Sequence, residues 1–283
     1  MQTNVMKKIC AITMARNDAF FLRHWIEYYG SQLGKENLYI FLDGTDQPVP
    51  ENAGAATVTH CERIPGQVVS AEKRRLAHLS NTAAELLKKY DLVIGTDADE
   101  FLVVDPDCNE TLQSYLSKLK IETSVSGLGL DVGQNMNKEK TIHEEQSFLS
   151  QRSYAILSPR YTKPVVLAKP VTWGSGFHRI KGHNFRIDKN LYLFHFGVFD
   201  MKMVEDRFLD KDRMAAGWER HMKKRTKVIT RVTEKKPLKG DRFLSLARTI
   251  QTFCRPIYAW NKPIMLGMKW VMKIPERFKK IEI

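Results

Sequence analysis

The stretch Asp91-Leu92-Val93-Ile94-Gly95-Thr96-Asp97-Ala98-Asp99-Glu100-Phe101 decides the fold. Its first part is a short continuous apolar run bounded by an acidic residue and a glycine, which is typical of a buried strand. Carboxylates at positions 97, 99 and 100 follow directly. A strand that ends in closely spaced carboxylates can aim them at one edge of a sheet, so the stretch predicts a polar site there.

Strand-like and helix-like segments alternate before this stretch. The strand-like segments are 9–14, 38–42 and 57–59, and the helical ones begin near Phe20 and Ser70. The alternation predicts an α/β fold with a mostly parallel sheet flanked by helices. Ligands bind beyond the carboxyl ends of the strands in such sheets, and Asp43 and Asp97 both occupy that kind of position.

The later sequence is less regular and becomes basic. Residues 164–196 look β-rich, and from about Met203 the pattern is helical, with twelve Lys/Arg against four Asp/Glu between Arg207 and Gly240. We therefore predict an α/β domain over 1–210, with halves at about 1–105 and 106–210. A basic helical C-terminal region over 211–283 is predicted to follow.

Composition limits the classes of partner and compartment. The 283-residue chain has a formal net charge of +13, which favours an anionic partner such as nucleic acid, lipid headgroups or a phosphorylated substrate. Its four cysteines form no CxxC pair, which argues against a structural zinc site and suits buried thiols in a reducing cytosol. No signal peptide and no run of about 18 apolar residues is visible. A cytoplasmic protein is expected, soluble or attached at a membrane surface.

The carboxylate pair Asp97 and Asp99 suits a hard divalent cation. Mg²⁺ and Mn²⁺ prefer oxygen ligands and usually share them with substrate phosphates. An acidic, solvated turn after a strand accounts for the same triplet equally well. Asp43 suits either a hydrogen bond to a base or ribose hydroxyl or an ordinary turn. The run Lys73-Arg74-Arg75 suits either a pyrophosphate or a solvated helical face.

The order of these features resembles a known family. Residues 8 to about 210 look like a GT-A glycosyltransferase of the family 2 type, in a bacterial branch. The resemblance rests on 12–18 with 22–29, on Asp43, on the D-E-F ending at Phe101, on His178-Arg179 and on His195 within an aromatic strand. It implies a GT-A (Rossmann-like) fold and a nucleotide-sugar donor.

The resemblance also implies roles for individual residues. The nucleoside would be surrounded by Thr13, Arg16, Asn17 and Asp43. Lys73 or Arg74 would approach the diphosphate. Asp97 and Asp99 would hold a divalent metal, Mn²⁺ or Mg²⁺, and Asp97 would also meet the ribose–diphosphate region. His195 would complete the metal's protein ligands, although a lone histidine in an apolar strand is also an ordinary hydrogen-bonded core residue.

The acceptor-activating base is not fixed by the sequence. Inverting sugar transfer needs a carboxylate or imidazole that takes a proton from the acceptor hydroxyl. The candidates are Glu145, within the pair Glu144-Glu145, Asp131 and His178. Each is equally plausible as a surface or packing residue. The QxxRW signature of processive synthases is absent, so single addition to a glycan or lipid-linked glycan is expected.

Two other classes compete with this interpretation. A basic membrane- or nucleic-acid-binding module explains the charge but leaves the strand-end carboxylates without a purpose, so no nucleic-acid partner is expected. A metal-dependent phosphohydrolase also uses acidic triplets, but Phe101 stands where its motif needs Thr or Val. The Trp-, Met- and Lys/Arg-rich tail after Pro256 either touches an anionic membrane or packs onto the main domain.

Overall fold

The structure is a computed structural model that describes residues 6–63, 68–183, 185–209 and 226–283. In these residues ten strands form one sheet, and helices lie against it. The strands are β1 (Ile9–Ala15), β2 (Leu38–Asp43), β3 (Thr57–Cys61), β4 (Leu92–Gly95), β5 (Glu100–Val104), β6 (Ser124–Val132), β7 (Tyr154–Leu157), β8 (Val166–Leu167), β9 (Ile187–His195) and β10 (Val271–Lys273). The helices are α1 (Ala19–Leu33), α2 (Val68–Leu86), α3 (Leu112–Lys118), α4 (Phe148–Gln151), α5 (Met201–Leu209), α6 (Lys227–Glu234) and α7 (Asp241–Phe253). The predicted α/β architecture is confirmed.

The N-terminal half is parallel, as the alternation predicts. The strand order is β3-β2-β1-β4, and each neighbouring pair is parallel. Beyond β4 the sheet changes character, because β8 pairs antiparallel with both β4 and β6. In the second half β9 lies parallel to β6 and antiparallel to β5. The acidic stretch therefore lies where the parallel half meets the mixed half.

Strand β1 shows why the sheet is covered on both faces. Successive side chains of a strand point to opposite faces. Ile9, Ala11 and Ala15 belong to the buried cluster that includes the apolar face of α1. Cys10, Ile12 and Met14 belong to the cluster that includes the leucines of α2. The strand is fully buried, which explains its continuous apolar sequence.

Helix α1 holds the acidic stretch in place through three aromatic side chains. Trp25 Nε1 donates to Thr96 Oγ1 at 2.9 Å, and Tyr28 Oη donates to the Leu102 carbonyl at 2.7 Å. Tyr29 Oη accepts from the Leu102 amide at 2.9 Å. All three aromatic side chains are buried. The helical spacing of aromatics in α1 thus fixes the backbone on both sides of Asp97–Glu100.

The C-terminal region is helical only in part. The predicted boundary at 210/211 lies outside the described residues, since 210–225 are not among them. Helices α6 and α7 follow the prediction, but after Phe253 the chain leaves the helical pattern. Residues 271–273 form β10, which pairs antiparallel with β7. Arg277 then binds Asp105 and Asp241, with nitrogen–oxygen distances of 2.7–3.1 Å. The end of the chain therefore packs onto the sheet.

We expect Gly129→Ala to destabilise the protein by roughly 3 kcal/mol or more. A Cβ at Gly129 would overlap the backbone of Ser158, Tyr161 and Thr162, which cannot move as a side chain can. Gly30→Ala in α1 is the matched control. Its Cβ would meet only the Lys35 side chain, and alanine has about 1 kcal/mol better helix propensity. Chemical denaturation of both variants checks this, and equal stabilities would contradict the packing described.

Candidate active site

Three adjacent strands place three polar side chains in one row. In the sheet, Glu100 of β5 lies opposite His195 of β9, and Asp131 of β6 lies on the other side of His195. Directly opposite residues point to the same face of a sheet, so their side chains meet. Asp99 precedes β5, and its carbonyl accepts from the Phe196 amide at 2.9 Å. Residues separated by about 30 to 95 positions in the chain thus converge.

His195 is the centre of this row. It is buried, its ring stacks on Tyr161 at a centroid distance of 3.8 Å, and its Nδ1 lies 2.7 Å from Asp131 Oδ1. Its Nε2 lies 3.5 Å from Asp99 Oδ2. Burial alone would lower the histidine pKa, but Asp99 and Asp131 outweigh it and raise the pKa to about 9. Asp131 therefore holds Nδ1–H and leaves Nε2 facing Asp99.

Asp99, Glu100 and His195 form a candidate metal centre. Each offers one ligand atom, these atoms lie within 4.8 Å of one another, and all three residues are buried. Two observations fit a cation there. Glu100 Oε2 is buried without a hydrogen-bond partner among the described residues, and a Cβ at Gly197 would lie 2.6 Å from both Asp99 Oδ2 and His195 Nε2. Two carboxylates and one imidazole suit Mn²⁺ better than Mg²⁺.

Asp97 stands beside this cluster and is held by two cations. Its Oδ1 accepts from Arg75 Nη2 at 2.7 Å, and its Oδ2 lies 3.1 Å from Lys163 Nζ. Burial alone would raise the pKa of Asp97, but Lys163 and Arg75 outweigh it and hold the pKa well below its usual value. Its carboxylate is therefore ionised, and two positive groups converge on it.

Lys163 is a site residue that the sequence pattern did not single out. Only 1% of its side chain is exposed, and its Nζ forms a short ion pair with Glu100 Oε1 in addition to the one with Asp97. Burial raises the pKa of Glu100 to about 7, against the opposing effect of Lys163. A buried lysine is costly unless it is paired, so Lys163 is fixed by these two carboxylates.

Arg75, one position after the predicted Lys73 and Arg74, reaches the acidic residues. Lys73 and Arg74 are exposed on α2, whereas Arg75 binds both Glu72 and Asp97 and lies over the Phe177 ring at 5.4 Å. Arg75 lies four positions before the buried Leu79, so it projects toward the sheet. The helical spacing of α2 could therefore have predicted that Arg75 points toward the site.

The residues expected around a nucleoside gather at the carboxyl ends of β1 and β2. Thr13 is fully buried in β1, and its Oγ1 has no hydrogen-bond partner in the described structure. Arg16 forms two hydrogen bonds with Asp46, at 2.7 and 2.9 Å, and donates to the Asp43 carbonyl at 2.8 Å. Asn17 has a positive φ of 47°. These residues line one edge of the sheet.

Asp43, the last residue of β2, lies at the same edge of the sheet. Its Oδ2 accepts from Arg63 Nη1 at 2.6 Å. Strands β2, β1 and β4 are parallel neighbours, and Ile12 of β1 lies opposite Gly95 of β4. Asp43 and Asp97 therefore follow the carboxyl ends of two strands that lie on either side of β1.

The three base candidates lie in different surroundings. His178 is partly buried, and its Nδ1 donates to the Arg160 carbonyl at 2.7 Å, so Nε2 carries the lone pair. Burial, and then the charges of Lys163 and Lys262, hold its pKa well below the usual value. Glu145 is exposed on the loop before α4, and among the described residues it forms no ion pair with the site. The third candidate, Asp131, is bound to His195.

Solved structures that match this chain include two glycosyltransferases. One is a mannosyltransferase from Pyrobaculum calidifontis in complex with GDP-Man and Mn²⁺, at 12% identity and a TM-score of 0.41, covering 77% of this chain and 65% of that chain. The present chain thus spans less than two thirds of that protein. The other is a glycosyltransferase involved in glycosylation of the major capsid of PBCV-1, at 13% identity and a TM-score of 0.25, covering 42% and 51%. No protein-family model and no curated protein matches the sequence.

We expect Gly197→Ala to weaken Mn²⁺ binding at least tenfold while the protein stays folded, because the added methyl group would enter the space between Asp99 and His195. Isothermal titration with Mn²⁺ measures the change, and circular dichroism checks the fold. Val198→Ala is the matched control, because Val198 packs in a separate apolar cluster. Unchanged Mn²⁺ affinity in Gly197→Ala would place the cation elsewhere.

Proposed function

We propose that the protein is a metal-dependent glycosyltransferase that moves a sugar from a nucleotide-diphosphate donor to a glycan or glycolipid acceptor. The observation that carries the proposal is the cluster Asp99, Glu100 and His195, which lies just beyond the carboxyl end of the parallel strand β4. Ligands of α/β sheets bind at that edge. A hexosyl-type sugar, single addition and inversion at the anomeric carbon complete the proposal.

The donor would lie along the edge formed by β2, β1 and β4. Arg16, Asn17 and Asp43 lie at the outer part of this edge, where they would contact the nucleoside, and the buried Thr13 would support them from within β1. Arg75 and Lys163 lie at the inner part, each bound to Asp97. Both cations would meet the diphosphate, while Asp97 would accept from a ribose hydroxyl. Lys73 and Arg74 are exposed on the same helix as Arg75, and they would attract the diphosphate from a longer distance.

The metal would be held by Asp99 and His195, with Glu100 as a further ligand. A divalent cation bound there would neutralise charge on the departing nucleoside diphosphate. Asp131 would keep Nδ1–H of His195 in place, so that Nε2 is presented as the ligand atom. Asp97, which the sequence pattern suggested as a ligand, would instead contact the cation only if it exchanged one of its two ion pairs.

His178 is the better candidate for the acceptor base. Its Nδ1–H is bound to a backbone carbonyl, so the proton of the acceptor hydroxyl would pass to Nε2. The hydroxyl oxygen then bonds to the anomeric carbon, and the bond from that carbon to the diphosphate breaks. Because His178 is neutral, it can accept this proton near pH 7.

We further propose that the enzyme works in the cytoplasm, at the inner face of the cell membrane. In the described residues, no helix combines the length and apolar character needed to cross a bilayer.

A phosphohydrolase remains the nearest alternative chemistry. It would release phosphate from the donor without an acceptor, whereas a transferase leaves the sugar on the acceptor. A binding module without catalysis would do neither.

We expect Asp99→Asn to lower kcat/KM by at least about 100-fold, because the site loses an ionised metal ligand. Asp97→Asn should also impair transfer, because Arg75 and Lys163 lose the carboxylate that positions them. Released UDP or GDP is measured over a panel of nucleotide-sugars with Mn²⁺ or Mg²⁺. Asp107→Asn, an exposed residue, is the control for the same chemical change. Turnover at the wild-type rate by Asp99→Asn would refute the assignment.

We expect His178→Gln to lower kcat by about 100-fold and to leave donor KM nearly unchanged, because only the proton acceptor is lost. Since the pKa of His178 lies well below its usual value, this group should stay unprotonated from about pH 6 to pH 8 and cause no loss of kcat in that range. Glu145→Gln should retain activity. The reverse pattern, with Glu145→Gln inactive and His178→Gln active, would transfer the base role to Glu145.

A further inference from the structure

Five large apolar side chains are exposed on one short segment, the 253–266 loop. Their exposed fractions run from 65% to 98%, and they are Phe253, Ile257, Tyr258, Trp260 and Leu266. The loop is anchored at its base, because Ala259 and Met265 are buried and the Ile264 amide donates to the Cys254 carbonyl. The loop is therefore held in place while its apolar side chains are exposed to solvent.

Two stretches of the chain that are rich in lysine and arginine meet at this loop. Residues 158–187 contain six Lys/Arg and residues 253–273 contain four, and neither range contains Asp or Glu. The two ranges touch, since Asn261 Nδ2 donates to the Ile180 carbonyl at 2.6 Å and the Arg255 guanidinium lies 4.2 Å from the Phe185 ring centre. Lys163, Arg186 and Lys273 are paired with carboxylates from other segments, so the positive charge beside the exposed apolar residues comes from the remaining cations.

Arg160, Arg179 and Lys262 converge at this junction. His178 binds the Arg160 carbonyl and precedes Arg179, while Lys262 follows Asn261. Burial lowers the pKa of Lys262, and the charges of Arg160 and Arg179 lower it further. In the described part of the chain, none of the three has a carboxylate oxygen within 4.0 Å. Like charges brought together without a counter-ion favour an external anion.

The combination of groups selects a lipid surface over other anionic partners. Exposed Trp and Tyr with flanking Lys and Arg suit the boundary between headgroups and acyl chains. Each Lys or Arg near an anionic bilayer contributes attraction, which salt weakens. Nucleic acid would satisfy the cations but offers little to the aliphatic side chains of Ile257 and Leu266.

We propose that the 253–266 loop, with Arg160, Arg179 and Lys262, is a docking surface for an anionic lipid bilayer. The surface adjoins His178, so docking would hold that side of the site toward the membrane. Apart from its last residue, Phe253, helix α7 is not part of the surface, because Leu244 and Ala247 face the core. The proposal goes beyond sugar transfer and does not depend on it, since bilayer binding can be measured without any substrate.

The test is co-sedimentation of the full chain with phosphatidylglycerol–phosphatidylcholine vesicles and with phosphatidylcholine vesicles alone. Wild-type protein should bind the anionic vesicles, and salt should weaken the binding. The double variants Ile257→Ser/Trp260→Ser and Arg179→Gln/Lys262→Gln should each bind at least about tenfold more weakly. Val49→Ser/Lys89→Gln, with one exposed apolar and one exposed basic residue elsewhere, is the matched control and should bind as wild type.

Two further measurements separate docking from folding and from catalysis. The double variants should keep the wild-type circular dichroism spectrum and the wild-type affinity for UDP or GDP with Mn²⁺. Trp fluorescence should shift to shorter wavelength with anionic vesicles, and Trp260→Phe should lose that shift. Absence of binding to anionic vesicles, wild-type binding by folded double variants, or a preference for RNA over the vesicles would overturn the proposal. If the wild-type protein bound anionic vesicles but no nucleotide, the result would contradict only the proposed enzyme function.

Discussion

The hydrogen bond between His195 and Asp131 is the interaction on which the site depends. It fixes one imidazole nitrogen, so that the other faces Asp99 in a space that Gly197 keeps open. Without Asp131 the ring could turn or change tautomer, and the row of β5, β9 and β6 would no longer present one acceptor atom. The aromatic residues of α1 hold the acidic stretch from the other side. The site is therefore preorganised by the sheet and one helix.

Charge balance explains why a strongly basic protein buries carboxylates at this place. Asp97, Asp99 and Glu100 lie within four positions, and buried carboxylates are costly unless cations pair with them. Lys163 and Arg75 supply two positive charges, and a protonated His195 supplies a third in the absence of metal. A divalent cation bound at Nε2 would displace that proton, so metal binding would release a proton here.

Local pattern predicted the parallel half of the sheet because each of its elements is set by nearby residues. Strands at 9–14 and 38–42 and the helix from Phe20 appear within one or two positions, and Asp43 and Asp97 end strands on either side of β1. What the sequence missed depends on distant pairings. Glu100 meets His195 across β5–β9, and Lys163 arrives from the segment before β8. The helical spacing of α2 could have predicted that Arg75 faces the sheet. Strand β10 could not be predicted, because the pattern of the C-terminal region suggested a helix.

Pulsed electron paramagnetic resonance of the Mn²⁺-bound protein tests the central claim most directly. The structure predicts a hyperfine coupling from a single directly bound ¹⁴N, since His195 Nε2 is the one nitrogen in the described candidate cluster. His195→Gln should abolish that coupling. A spectrum showing only oxygen ligands around bound Mn²⁺, or a nitrogen coupling that survives His195→Gln, would contradict the account.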